Sequence, residues 1–292
     1  ADRFATVDLG GEIKYEWHMG SAARALQSGL SSVAETIYRS LLEKSDHLSS
    51  SELASLKLGL AKALIGQGRF VAARAQLDSI QEEFQNGQYL VYLALSIYGE
   101  GDGRIDSEAF LVALKKASSA DLKAEDLPWL AMLQGLAAEF DGQTEIATAA
   151  YQRALELTDQ PMLRSHFEGL IMRQKLLASP TDEALVAELR VKIDQLDGQA
   201  AAYPFVRQYA VGLYGLGRIG EAISAIDREL ENTSTGYVSE EREQLSLLKG
   251  IILGANSETG RIALKTLILN GRSRETMGIA LQLLARVPNQ DA

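Results

Sequence analysis

The chain predicts an all-α fold, an α-solenoid of about seven stacked helical hairpins ending in a capping helix, and three observations predict it. The first is a recurrence. Alanine closes a turn and opens an apolar helix at Ala34, Ala73, Ala109, Ala147, Ala184, Ala222 and Ala263, with separations, by subtraction, of 39, 36, 38, 37, 38 and 41 residues. A period near 38 is that of a hairpin that cannot bury its apolar face alone and so stacks on its neighbours. The second observation is a turn glycine upstream of most of these alanines: Gly29, Gly68, Gly101, Gly142 and Gly217. The third is composition. Hydrophobic residues make up 46% and charged residues 23%, with only 5 prolines, a balance that favours folded helix over disorder. At 292 residues a single core nears its size limit, whereas a repeat array grows in one dimension.

Taken in order, residues 1–14 lack helical periodicity and read as an extended N-terminal arm, and residues 15–271 hold the hairpins. The first hairpin carries Ala25, Gly29, Ala34 and Tyr38. The second carries Leu60-Ala61, Leu64, Gly68, Ala73, Leu77 and Ile80. In the third, Leu93-Ala94, Ile97 and Gly101 precede an enlarged loop before Ala109. The fourth, Trp129 to Pro161, is the clearest. Ala131, Gln134, Gly135 and Ala138 form one stripe at i, i+3, i+4, i+7, Asp141-Gly142 turns the chain, and Ala147, Tyr151 and Ala154 line the returning helix. Pro161 stands beyond that helix, where it stops the next turn.

The fifth hairpin departs from the pattern. It has Gly169 and Met172, a turn over Ala178-Ser179-Pro180-Thr181-Asp182, and Glu188 where an aromatic is expected; Thr181 or Asp182 is the N-cap. The sixth has Tyr209-Ala210, Leu213, Gly217, Ala222 and Ile226. The seventh sets Gly250, Leu253, Ala263 and Leu267 around the loop Asn256–Thr259. Residues 272–292 read as a capping helix, about Arg274 to Arg286, and a tail. The polar stretches Ser118–Pro128 and Glu231–Ser239 are short enough to be connections between hairpins.

The order Gly135, Gly142, Ala147, Tyr151, Ala154, Pro161 resembles the tetratricopeptide repeat (TPR) family pattern, with the proline two residues late, in a degenerate, bacterial-type form. The other hairpins share parts of it, and the resemblance spans roughly residues 15 to 271. It implies a right-handed α-solenoid whose first helices line a concave groove. It further implies a groove stripe of Leu58, Lys62 and Ile65; Val91, Leu95 and Tyr98; Met132, Leu136 and Glu139; His166, Leu170 and Arg173; and Arg207, Val211 and Tyr214. Each trio is spaced i, i+4, i+7 and so shares a helix face. The alternative is that part of this stripe packs against neighbouring helices or the N-terminal arm. The family's carboxylate clamp needs paired Lys, Arg and Asn on these faces. Lys62, Arg173 and Arg207 lie far apart along the array, so the stripe favours an apolar peptide or helix as ligand.

Other signals are weaker. A net charge of −10 without basic blocks argues against nucleic acid as a partner. No apolar run reaches the roughly 18 residues of a membrane span, and no signal peptide is visible. Cysteine is absent, which removes disulfides and thiolate metal sites, and the histidines His18, His47 and His166 fall in different hairpins. Gly215-Leu216-Gly217-Arg218-Ile219-Gly220 matches G-x-G-x-x-G but follows a helix rather than a strand, so it reads as a repeat turn. The run Glu100–Phe110 is similar to the latter part of an EF-hand loop. A calcium site would need an acid at Tyr98 and a glutamate at Ala109, so an enlarged hairpin loop is expected. Asn232-Thr233-Ser234 is a glycosylation sequon by pattern alone. No elbow serine or convergent acid set supports catalysis.

The expectation is a scaffold without enzymatic activity, cofactor or metal that binds another protein in its groove, in a bacterial envelope, extracytoplasmic or periplasmic complex. A docking region of a larger chain and an enzyme with a helical active site are the alternatives.

Overall fold

The computed structural model describes residues 11–44, 48–100, 107–196, 199–232, 239–271 and 273–287, and among them every regular element is helical, with no strand. The chain divides into two compact units. The first holds α1 (Gly11–Gln27), α2 (Ser31–Leu42), α3 (Ser50–Ile65), α4 (Phe70–Asp78), α5 (Gly87–Glu100) and α6 (Ser107–Ser118). The second holds α7 (Leu127–Phe140), α8 (Thr144–Glu156), α9 (Pro161–Ala178), α10 (Glu183–Gln195), α11 (Tyr203–Gly215), α12 (Ile219–Glu231), α13 (Ser239–Leu253), α14 (Glu258–Asn270) and α15 (Arg274–Ala285). The first helix starts at Gly11, inside the stretch read as an arm; residues 1–10 lie outside the described residues. The last helix matches the expected cap within one residue.

One turn recurs in both units. Gly29, Gly68, Gly142 and Gly217 adopt φ of 74°, 70°, 67° and 74°, a left-handed conformation that costs other residues roughly 1–2 kcal/mol. In each case the next residue donates its N–H to the carbonyl five back: Leu30 to Ala25, Arg69 to Leu64, Gln143 to Ala138 and Arg218 to Leu213, at 2.8–2.9 Å. This closes the last helical turn and releases the chain into the next helix. Five residues after each glycine stands an alanine, Ala34, Ala73, Ala147 or Ala222, and all four are 0% exposed. A fifth glycine, Gly254, shares the positive φ (81°), but two extra residues separate it from the N-cap Ser257.

Where the turn differs, the core register differs. Ala109 and Ala263 are half-buried and Ala184 is exposed; Phe110, Leu185 with Val186, and Leu264 are buried instead. The loop Ser179–Asp182 has no glycine turn, and Asp182 caps α10 by accepting from the N–H groups of Ala184 and Leu185. Each residue of shift rotates the side chain by about 100°, so an alanine placed by counting leaves the interface.

Helices pack chiefly on their neighbours in the chain. In the first unit α1 also meets α3 and α3 meets α5; in the second, α9 meets α11, α11 meets α13 and α13 meets α15. The core of the second unit runs through Met172, Leu176, Val186, Leu189, Phe205, Ala210, Leu213, Ala222 and Ile226. No helix among the described residues is long and apolar enough to cross a membrane.

Candidate functional site

Two glycines show how α9 lies against α11. A Cβ on Gly169 would meet Pro204 Cβ at 2.5 Å, and a Cβ on Gly212 would meet Leu176 at 3.3 Å. The pairs 169/204 and 176/212 differ by 35 and 36 by subtraction, so the two helices run parallel and nearly in register. Leu170 is one residue beyond the contact at Gly169, and Arg207 is three beyond the contact at Pro204. At about 100° per residue these turn in opposite senses, by about +100° and −60°, which on parallel helices brings both to one side. The trios His166, Leu170, Arg173 and Arg207, Val211, Tyr214 therefore form one face of the second unit.

That face is open. His166 and Arg207 are exposed, Leu170 is half-buried, and Val211 and Tyr214 are 39% and 49% exposed. The imidazole of His166 is held well below its ordinary pKa, at about 4, first by desolvation and then by the positive fields of Arg173 and Arg207. Both arginines thus lie within electrostatic reach of His166. Counting along the sequence placed the arginines too far apart to act together; the parallel packing of α9 on α11 brings both to His166.

Glu139 of α7 has a different role. Its carboxylate takes Nη2 of Arg173 at 2.5 Å on both oxygens, Nε2 of Gln174 at 2.6 Å and the hydroxyl of the fully buried Tyr151. The Glu139 and Arg173 side chains retain only 22% and 25% exposure. Such a charge-assisted bracket, shared by α7, α8 and α9, fixes Arg173 in place. It spends the acid of Glu139 within the fold. The signal for it in the sequence was the 34-residue separation of Glu139 and Arg173, one hairpin less a turn.

The remaining stripe positions need correction. Leu58, Val91, Leu95, Met132 and Leu136 are buried, at 8%, 0%, 4%, 4% and 3% exposure. Their aliphatic side chains are removed from water by the fold and belong to the interior, as the packing alternative anticipated. In the first unit Lys62, Ile65 and Tyr98 are half-buried. Lys62 Nζ sits 4.8 Å from the centroid of the Tyr92 ring, and the Tyr98 ring lies 6.0 Å from that of Phe110. The open part of the stripe lies on α9 and α11 of the second unit.

Gly215 to Gly220 joins α11 to α12 through the recurrent turn, with no strand before it. Most of the calcium-like loop, His47, and Thr233-Ser234 of the sequon lie outside the described residues. Among the described residues no group of three His, Asp or Glu side chains is placed to hold a metal ion. A separate apolar depression of about 660 Å³ lies between α12, α13 and α14, lined by Ile223, Leu230, Leu253, Ile262 and Leu267.

Comparison of the sequence with protein-family models and with curated proteins finds no match.

Proposed function

We propose that this chain is a non-catalytic protein-interaction scaffold. In this reading the hairpins of each unit stack as a right-handed, TPR-like solenoid, and the second unit receives a peptide or helix of a partner protein on its first helices. The observation that carries the reading is the open face of α9 and α11. There an aliphatic pair, a tyrosine and two arginines share one side of two rigidly packed helices. Tyrosine and arginine are the side chains that most often dominate interface energetics. Support for the repeat reading comes from the identical turns at Gly29, Gly68, Gly142 and Gly217, each followed after five residues by a buried alanine.

The test is affinity capture from the native organism with mass spectrometry, using three proteins. They are the wild type, a Val211→Ser/Tyr214→Ala variant, and a Gln152→Ala/Arg153→Ala control on the exposed side of α8. The face variant should lose a partner that the control retains, with melting temperatures unchanged in both. At a hot spot, Tyr214→Ala should weaken binding by about 2 kcal/mol or more. Loss in the control together with retention in the face variant would refute the assignment.

A further inference from the structure

We propose that Asn270–Gly271 is a self-modifying site, at which the chain converts a side-chain amide into a carboxylate and so loosens the seat of α15. Water is the only co-reactant. The chain holds two Asn-Gly pairs, Asn86–Gly87 and Asn270–Gly271. In such a pair the backbone nitrogen of the glycine has no adjacent Cβ to shield it. Once deprotonated, that nitrogen attacks the asparagine Cγ. A C–N bond closes a succinimide ring, and the side-chain NH2 leaves with the displaced proton as ammonia. Water then opens either ring carbonyl, giving aspartate or, with a methylene added to the main chain, isoaspartate.

The fold holds the two pairs differently. Asn86 caps α5. Its side-chain Oδ1 accepts from the Tyr89 N–H at 3.0 Å, its carbonyl accepts from the Leu90 N–H at 3.2 Å, and Gly87 is buried. Attack there must break the cap and open the first turn of α5. Asn270 is the last residue of α14 and is exposed, beside Leu269 at 81% exposure. Among the described residues its side chain makes no hydrogen bond. The bond in the way, from the Gly271 N–H to the Leu267 carbonyl at 2.8 Å, closes only the final turn of α14, and helix ends fray readily.

Glu243 sets the consequence. Its Oε2 accepts at 2.9 Å from the N–H of Ser273, the N-cap of α15, and would lie 3.2 Å from a Cβ on Gly271. Asn270, Gly271 and Glu243 line the same depression, whose lysine, Lys249, is already paired with Asp227 at 2.5 Å. A carboxylate at position 270 therefore meets like charge where α14 gives way to α15. It also stands at the helix end that disfavours anions. None of these residues belongs to α9 or α11, so the site is separate from the proposed binding face.

Peptide mapping by mass spectrometry, after incubation in warm, mildly alkaline buffer, reads each pair separately through the mass gained when NH2 becomes OH. In guanidinium chloride both pairs should convert at similar rates. In the folded protein Asn270 should convert at least about tenfold faster than Asn86, which must first give up its cap and first turn. Equal rates in the folded protein, or no conversion of Asn270, overturn the site. Asn270→Asp reproduces one product and should speed hydrogen exchange at the α15 amides about two- to fivefold, as expected for an anion at a helix C-terminus. Adding Glu243→Gln, whose amide still accepts from Ser273, should reduce that acceleration. Unchanged exchange in Asn270→Asp overturns the loosening. Asn270→Ser removes the amide without adding charge and should show neither conversion nor faster exchange. Exchange as fast in Asn270→Ser as in Asn270→Asp overturns the role of the new charge.

Discussion

Gly135→Ala tests the packing of α7 on α8 most directly. The added Cβ would lie 2.5, 2.8 and 2.9 Å from Cε1, Cδ1 and Cζ of Tyr151. Ordinary carbon contacts are about 3.5–4.0 Å, so the ring must retreat by about 1 Å. Tyr151 is 0% exposed, leaving no space to retreat into, and its hydroxyl is tied to Glu139. Overpacking of this kind costs about 1–3 kcal/mol. Against it stands the gain of about 1 kcal/mol from replacing glycine by alanine inside a helix. The net is a destabilisation of about 1 kcal/mol, or roughly 2–4 °C in Tm for a unit of this size. Tyr151→Leu in the Gly135→Ala background should remove the clash, so the double-mutant cycle should show positive coupling. Hydrogen exchange at the amides of α7 and α8 should locate the loss there, since interactions in stacked hairpins reach chiefly the neighbours. A Gly135→Ala protein more stable than the wild type, with unchanged exchange, would refute the reasoning.

Other outcomes follow from the same geometry. Ala147→Leu or Ala222→Leu, both at positions with 0% exposure, should each cost about 1–3 kcal/mol by thermal or urea unfolding. Glu139→Ala leaves the half-buried Arg173 without its anion and should cost about 1–3 kcal/mol, with Glu139→Gln milder because an amide still accepts. His166 has a folded pKa below its unfolded value, so the unfolded chain binds the proton more readily. Stability should therefore fall as pH drops from about 6.5 towards about 4, and His166→Gln should flatten that part of the profile, read as Tm against pH. Chelation should leave the melting temperature unchanged, and a calcium-dependent rise abolished by Asp106→Ala would show the loop to be a binding site.

The helical class and most hairpins were legible without coordinates, because local physics writes them into the chain. Gly29, Gly68, Gly142 and Gly217 are needed wherever the backbone enters the left-handed region, and alanine is needed five residues later where two helices meet closely. Both requirements act over a few residues, so their period survives in the sequence. Helix α15 and the N-cap at Asp182 were likewise readable from local signals. The register of α6, α10 and α14 was not. There the preceding loop changes length or loses its glycine, and a shift of one residue turns a helix face by about 100°.

Which face is free is a property of contacts between helices far apart in the chain. Leu95 and Leu136 hold in their trios the middle position that Val211 holds in its own, yet both are buried and Val211 is 39% exposed. Periodicity gives the angle of a side chain on its helix and says nothing of what stands opposite. The meeting of Arg173 and Arg207 at His166, and the commitment of Glu139 to Arg173, depend on the parallel packing of α9 on α11 and on the approach of α7. The sequence by itself determined the kind of helix, its turns and its apolar stripe, because those follow from bonds within a few residues. Only the tertiary structure decided which part of the stripe water still reaches, because burial is set by neighbours some 35 residues away.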